Sequence, residues 1–111
     1  MERTITDVYI IPINTFNESL KIAEELRNEN VKVDIDLTGK GPSKNLQYAN
    51  SLGIPYVLFV GEEELKQDKV KLKDMKSGKE QLMGAEELIE FLQKIWFNLQ
   101  KFLNENPLYN D

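Results

Sequence analysis

Residues 31–60, VKVDIDLTGKGPSKNLQYANSLGIPYVLFV, contain a strand, a helix and a second strand, and this order decides the fold. Apolar and charged residues alternate over Val31–Leu37, which is typical of a strand with one buried and one wetter face near the edge of a sheet. Pro42 begins a short helix, and Tyr56–Val60 is a strand that is apolar on both faces. The apolar side chains of the helix are Leu46, Ala49 and Leu52. This order of elements predicts a parallel sheet with right-handed crossovers.

The residues before this unit predict one more strand and one more helix. Val8–Ile11 is an apolar run closed by Pro12, which is typical of a short strand in the interior of a sheet. A helix is predicted over Asn17–Asn28, because its apolar side chains share one face. These side chains are Leu20, Ala23 and Leu26. The chain therefore begins with a strand and a helix that extend the parallel sheet.

The residues after residue 60 predict an antiparallel hairpin and a long helix. The two strands of the hairpin are Lys69–Met75 and Glu80–Met83, joined by the turn Lys76–Lys79. The last helix is predicted over Ala85–Glu105. The predicted fold class is therefore α/β, with three layers (α/β/α) around a mixed sheet of about five strands. A parallel βαβαβ unit is followed by the hairpin and the C-terminal helix.

The last helix carries more apolar surface than a small sheet requires. Its apolar stripe consists of Leu88, Leu92, Ile95, Leu99 and Phe102, and Ile89, Trp96 and Leu103 widen it. Packing on the sheet explains the half of the helix near Ala85. The half over Trp96–Leu103 either packs in the core as well or forms an interface with another domain or a second copy of the chain.

The composition excludes several classes of function. With 111 residues the chain is predicted to be one domain, with a folded core over 6–104 and a tail over 105–111. It has no cysteine and no histidine, so cysteine nucleophiles, thiolate zinc sites and histidine acid–base catalysis are excluded. We predict no catalytic residue and no metal site. The sequence lacks a signal peptide and an apolar run that could cross a bilayer, which predicts a cytoplasmic protein without a membrane partner.

Lysines are concentrated in the predicted hairpin. Residues 66–79 contain six lysines and two aspartates, a local charge of +4 in a chain whose net charge is −5. Lys69, Lys71 and Lys73 alternate with apolar residues and therefore line one face of a strand. Such a face is typical of a surface that meets an anionic partner, for example a phosphate backbone. The alternative is a solvated edge strand whose lysines prevent edge-to-edge aggregation.

Open parallel sheets bind ligands at the carboxyl ends of their strands. Here those ends are followed by Leu37–Lys44 and Gly61–Glu64, and we expect these two loops to lie near each other. Thr38–Gly41 has the composition of a phosphate-binding loop but not its spacing, so the sequence does not favour nucleotide binding.

Carboxylates follow the predicted third strand at Glu62–Glu64. In the first turn of a helix they are favoured by the helix dipole and need no function. A carboxylate fixed beside Lys73 has a further use, because it accepts hydrogen bonds from N1 and the exocyclic amine of an unpaired guanine while the lysine holds a phosphate or a base oxygen. Tyr48 either stacks on an unpaired base or packs under the preceding loop.

Residues 31–81 resemble the anticodon-binding domain of class II aminoacyl-tRNA synthetases, and within that group they are most similar to the histidyl-tRNA synthetases. The segments that carry the resemblance are Asp34–Leu37, Lys44–Ala49, Gly61–Leu65 and Val70–Gly78. Synthetases for threonine, proline and glycine share the fold and the acidic turn. The lysine–aspartate pair at Lys73 and Asp74, followed by a serine–glycine turn, favours the histidine enzyme.

The resemblance implies that the domain binds the anticodon loop of a tRNA, here tRNA-His with its GUG anticodon. The residues expected to contact the RNA are Glu64, Lys73, Gly61, Lys44, Tyr48, Lys71 and Lys40. Relatives often have a basic, helix-forming segment where this chain has Gly41-Pro42-Ser43. Only Lys40 and Lys44 remain there, which predicts weaker phosphate contacts.

The resemblance also implies a catalytic domain that is separate from this one. ATP and magnesium would belong to that domain, so we expect no cofactor in this chain. The expected partners are a tRNA, the catalytic domain and, through the C-terminal helix, a second copy of the chain. The alternatives are the same fold from a threonyl-, prolyl- or glycyl-type synthetase, a protein-interaction or dimerisation domain, and a small nucleotide-binding enzyme, for which the sequence offers no catalytic group.

Overall fold

A computed structural model describes residues 6–106, except for the side chain of Trp96. The strands in this range are β1 (Val8–Ile13), β2 (Val33–Ile35), β3 (Tyr56–Gly61), β4 (Val70–Asp74) and β5 (Glu80–Met83). The helices are α1 (Phe16–Asn28), α2 (Pro42–Ser51), α3 (Glu62–Leu65) and α4 (Ala85–Glu105). The predicted α/β class is confirmed.

The strands form one mixed sheet in the order β2-β1-β3-β4-β5. β1 is parallel to both of its neighbours, whereas β4 is antiparallel to β3 and to β5. The predictions of an interior β1, an edge β2 and a C-terminal hairpin are therefore confirmed. Parallel strands need a long crossover, and the short connection between β4 and β5 permits only the antiparallel arrangement.

Helices cover both faces of the sheet and give the three layers. α1 and α4 pack on one face, where the core contains Ala23, Leu26, Leu88 and Leu92 together with Val8, Ile10, Leu58 and Leu72. α2 packs on the opposite face, which we call the α2 face; its core contains Ala49, Tyr9, Ile11, Ile54 and Val57. Successive residues of a strand point to opposite faces, so β1 contributes to both cores.

The inward face of α1 differs from the prediction. Leu20 is 40 % exposed, and the buried positions are Ser19, Ala23 and Leu26. Ser19 is accommodated inside because its hydroxyl pairs with the hydroxyl of Thr15, 3.2 Å away. Ser19, Ala23 and Leu26 are spaced by four and three residues and therefore lie on one face of α1. Ser19 thus occupies the buried position that the sequence pattern assigned to Leu20.

β2 is shorter than the predicted strand over Val31–Leu37. The strand ends at Ile35, and Leu37 is 71 % exposed. Asp36, predicted on the wetter face, is instead buried. β1, by contrast, continues past Pro12 to Ile13. Pro12 is tolerated because β2 pairs only with residues 8–10, which leaves the end of β1 with a neighbour on one side.

α4 has the predicted bounds, and its two halves differ in burial. Leu88 and Leu92 are buried against the sheet, as predicted for the first half. In the second half Phe97 and Leu99 are 64 % and 52 % exposed, so this half does not pack in the core. The side chain of Trp96 lies outside the described residues. The predicted tail begins with Glu105, which is the last residue of α4, and from residue 107 it also lies outside that range.

Candidate nucleic-acid interface

Lys71 and Lys73 of β4 lie on an open part of the α2 face. Lys71 is in register with Phe59 of β3 and with Leu82 of β5, and Lys73 is in register with Val57. Val57 and Phe59 belong to the core on the α2 face, and residues in register on neighbouring strands point to the same side. Leu82 beside the lysines is 50 % exposed. The prediction of a shared strand face is confirmed for Lys71 and Lys73, whereas Lys69 precedes β4, which begins at Val70.

One carboxylate lies between these two lysines. Glu80 of β5 places Oε1 3.9 Å from Lys71 Nζ and Oε2 3.8 Å from Lys73 Nζ. The three side chains remain partly exposed. The net charge of this group is therefore +1, although the two lysines alone carry +2.

Glu64 lies in α3, the single helical turn that follows β3. Its side chain folds back over Gly61, since a Cβ atom added at Gly61 would lie 2.9 Å from Glu64 Oε2. The residue is partly buried, yet among residues 6–106 its carboxylate has no hydrogen-bond or ion-pair partner. Its oxygens are therefore available to accept hydrogen bonds from a ligand.

Glu64 and Lys73 are not neighbours, so the prediction of a carboxylate beside Lys73 is wrong for this pair. Lys73 is in register with Val57 near the amino end of β3, whereas Glu64 lies against Gly61 at its carboxyl end. Four residues of strand separate these positions by roughly 13 Å. The carboxylate beside Lys73 belongs to Glu80.

Lys40 is stacked on Tyr48. The Nζ atom of Lys40 is 4.4 Å from the centroid of the Tyr48 ring and 3.9 Å from Asp36 Oδ1. The Tyr48 ring also packs on Tyr9, with the ring centroids 5.5 Å apart. A cation above an aromatic face is attracted by the ring quadrupole. Lys40 therefore covers one face of the ring on which the sequence predicted base stacking.

A buried polar network, which the sequence pattern did not predict, holds the loop after β2. Asn45 of α2 donates from Nδ2 to Asp36 Oδ2 at 2.8 Å and to the Gly41 carbonyl at 2.9 Å. Tyr9 donates its hydroxyl to Asn45 Oδ1 at 2.8 Å. Thr38 donates its backbone N–H and its hydroxyl to Asp36 Oδ1. The available signal was the Asp-x-Thr spacing, which is typical of a turn closed by an aspartate side chain.

The network shifts two pKa values. Burial by itself raises the pKa of Asp36, but hydrogen bonds from Asn45 and Thr38 and the charge of Lys40 outweigh burial and lower this pKa to about 2. Burial, followed by the nearby charge of Asp36, raises the pKa of Tyr9 to about 12. Asp36 is therefore a charged, buried group that depends on its donors, and Tyr9 remains a neutral donor.

The structure divides the predicted RNA-binding residues into two groups and one separate site. Lys44 is exposed, four residues before Tyr48 on the same side of α2, and the two form the first group with Lys40. The second group is Lys71 and Lys73 on the same α2 face. The separate site at the end of β3 consists of Gly61 and Glu64.

The loop after β2 faces the loop after β1, which differs from the prediction. A cleft of about 590 Å³ is lined by residues 12–18 and by several residues of 36–42. The loop 61–64 is not part of its lining. The reason is the strand order, because β1 lies between β2 and β3 and separates the loops that follow them.

The family profile described as "Anticodon binding domain" matches residues 7–95 of the chain. The chain belongs to the anticodon-binding domain family. The match includes both lysine groups, the site at Gly61 and Glu64, and the first half of α4. The second half of α4 lies beyond it.

The anticodon-binding domain has relatives among the histidine–tRNA ligases. It is 42 % identical over 93 residues to the histidine–tRNA ligase of Thermococcus kodakarensis, which covers 80 % of this chain and 21 % of the relative. It is 42 % identical over 87 residues to histidine–tRNA ligase 1 of a Bacillus cereus strain, which covers 78 % of this chain and 20 % of the relative. The predicted resemblance is confirmed, and the chain spans about a fifth of the length of these relatives.

Solved structures show the same fold. The histidyl-tRNA synthetase of Nostoc sp. PCC 7120 matches with a TM-score of 0.79 and 23 % identity, over 84 % of this chain and 23 % of that one. The RNA-binding domain of threonyl-tRNA synthetase from Cryptosporidium parvum matches with a TM-score of 0.75 and 21 % identity, over 80 % of this chain and 23 % of that one. These likenesses establish the fold of the anticodon-binding domain.

Residues 6–106 lack two further kinds of feature. No helix in this range combines the length and hydropathy needed to cross a membrane. The same residues contain no group of three or more acidic side chains placed to hold a metal ion.

Proposed function

We propose that this chain reads the anticodon of a tRNA as part of a histidine–tRNA ligase, and that the tRNA is tRNA-His. The family and the ligase relatives support the proposal. The observation that carries it is the carboxylate of Glu64, which is partly buried against Gly61 and unpaired among residues 6–106. Two donors on the Watson–Crick edge of an unpaired guanine, N1 and the exocyclic amine, match its two oxygens.

The remaining predicted residues support this reading in different ways. Lys71 and Lys73 would hold phosphates on the open part of the α2 face, beside the exposed Leu82. Lys44 would contact the backbone from α2, and Lys40 would do so only after leaving Asp36. Tyr48 would stack on a base with the part of its ring that Lys40 leaves exposed.

The aminoacylation reaction belongs, in this proposal, to a catalytic domain of the parent ligase, which would bind ATP and magnesium. This domain would supply RNA binding and no catalytic residue. A threonyl-, prolyl- or glycyl-type parent is the alternative, because those synthetases share the fold. The cytoplasmic location stays a prediction from the sequence.

The proposal is tested with two anticodon stem-loops. One carries GUG, and in the other both anticodon guanines are replaced. Titrations followed by NMR or fluorescence at two salt concentrations should show about tenfold or greater preference for the GUG loop, because each good pair of hydrogen bonds to a base discriminates strongly. Affinity for both loops should fall as salt rises, since lysines displace counterions from phosphates. Equal, weak binding of both loops would reject anticodon reading and leave only a basic surface.

A second candidate function is self-association through the distal half of α4. This half lies beyond the family match, and its Phe97 and Leu99 are exposed. Together with Ile95 they line a groove of about 760 Å³ beside Tyr56 and Val31. A large apolar surface of this kind is typical of an interface, and we propose that a second copy of the chain covers it.

Self-association predicts a mass that rises with protein concentration. Sedimentation or mass photometry should show a dimer that Leu99→Glu weakens about tenfold or more, because a charge would be buried in an apolar contact. Asn98→Glu, at an exposed neighbouring position, is the matched control and should leave the dimer intact. A monomer at all concentrations would reject this candidate and leave the groove to the parent catalytic domain.

A further inference from the structure

We propose that Glu80 weakens the binding of RNA by Lys71 and Lys73. Because of this competition, the two lysines alone do not retain every polyanion that reaches them. In the free protein the Glu80 carboxylate occupies the place of an anionic ligand between the two ammonium groups. This inference rests on the proposed function, because it assumes that the lysine pair contacts RNA phosphates.

The geometry places one carboxylate on both lysines. Each oxygen of Glu80 faces a different ammonium group, at 3.9 Å for Lys71 and 3.8 Å for Lys73. Glu80 is directly in register with Lys73, and Lys71 is its diagonal neighbour across the same two strands. Both positions are within reach in an antiparallel pair. The bridge is therefore a consequence of the β4–β5 register.

These ion pairs are weak, so an RNA can displace them. Both are longer than a hydrogen bond, and the side chains of Lys71, Lys73 and Glu80 are 37 %, 25 % and 44 % exposed. Exposed ion pairs of this kind contribute little to stability. The hairpin is held by the backbone pairing of β4 with β5, which does not depend on the Glu80 carboxylate.

Glu80 forms ion pairs with only some of the lysines in the hairpin, namely Lys71 and Lys73. Within residues 6–106, Lys69 and Lys79 have no ion-pair partner, although they are more exposed than the pair. Glu80 thus neutralises the lysines on the sheet face and leaves these two unpaired. After a phosphate has displaced it, its charge remains a few ångströms away and opposes the phosphate. Weakly held RNA is then rejected, whereas RNA that also contacts the site at Glu64 is retained.

The experiment compares Glu80→Gln with Glu63→Gln. Each variant removes one negative charge from a carboxylate in an ion pair. Glu80→Gln releases Lys71 and Lys73, and Glu63→Gln releases Lys66, which lies 3.4 Å away on the exposed side of α3. We expect Glu80→Gln to bind an oligouridine strand about threefold to tenfold more tightly at low salt. The slope of log affinity against log salt should steepen by about 0.7 for each added phosphate contact. Glu63→Gln should change both quantities much less.

Three outcomes separate the inference from the function on which it rests. Equal gains for Glu80→Gln and Glu63→Gln would overturn the inference, because net charge alone would explain them. No gain for Glu80→Gln, combined with weaker binding by Lys71→Ala and Lys73→Ala, would overturn it while the lysine contacts stand. Unchanged binding by both lysine variants would overturn the lysine part of the proposed function and the inference together. Thermal unfolding of Glu80→Gln should match that of the unmodified chain, which shows that the hairpin is intact.

Discussion

Glu64→Ala is expected to abolish the preference of this domain for guanine in the anticodon. A carboxylate that accepts two hydrogen bonds from one base discriminates by about 1 to 3 kcal/mol, which corresponds to roughly tenfold to hundredfold in affinity. Glu64 has no competing partner among residues 6–106, so its loss should leave the fold unaffected. Titration of the GUG loop and the loop without guanines should give nearly equal affinities for the variant.

Two matched variants make this prediction specific. Glu62→Ala, at an exposed position of the same turn, should keep the preference. Gly61→Ala should reduce it, because the new Cβ would lie 2.9 Å from Glu64 Oε2 and force the carboxylate to move. The φ of Gly61 is −102°, which alanine adopts without strain. The free energy of unfolding should therefore change by only about 0.5 kcal/mol. If Glu64→Ala kept the preference, guanine would be read elsewhere on the domain.

Asn45→Ala is expected to destabilise the domain by about 2 to 4 kcal/mol. Asn45 is fully buried and bonds to Asp36, Tyr9 and Gly41. Its removal leaves a buried carboxylate short of a donor and a buried hydroxyl without its acceptor. Urea unfolding should show a lower midpoint with an unchanged m-value. Asn50→Ala, at an exposed position on the same helix, is the control and should change stability by only about 0.5 kcal/mol.

Asn45→Ala should also reduce the loss of folding stability that occurs as the pH falls below 4. The folded-state pKa of Asp36, about 2, lies below its ordinary value of 3.8, so its contribution is complete above pH 4 and is lost as the pH falls towards 2. The difference corresponds to about 2 kcal/mol. Backbone hydrogen bonds from Ser77 and Lys76 also lower the pKa of Asp74. Asp74 therefore contributes to the acid dependence of stability in the same direction in the unmodified chain and in Asn45→Ala. An acid limb that is equally steep in Asn45→Ala would contradict the role assigned to Asn45.

The local spacing of apolar and charged residues was enough to predict most of the helices and strands. α4 has the predicted bounds of Ala85 and Glu105, because an apolar repeat of three and four residues needs only the helix period to be recognised. Lys71 and Lys73 share a face because alternation in a strand is equally local. Leu20 and Leu37 were predicted to be buried and are exposed, because burial depends on what packs against a position.

The sequence by itself therefore determined the order of the elements, including the strand–helix–strand unit and the lysine-rich hairpin. It also determined which catalytic groups are missing, because the chain has no cysteine and no histidine. Folding in three dimensions decided which of these groups meet. Strand order and register put Glu80 rather than Glu64 beside Lys73, and an early end to β2 buried Asp36 under Asn45. These pairs are seven and nine residues apart in the chain. Their contacts depend on register and packing that short-range periodicity does not encode.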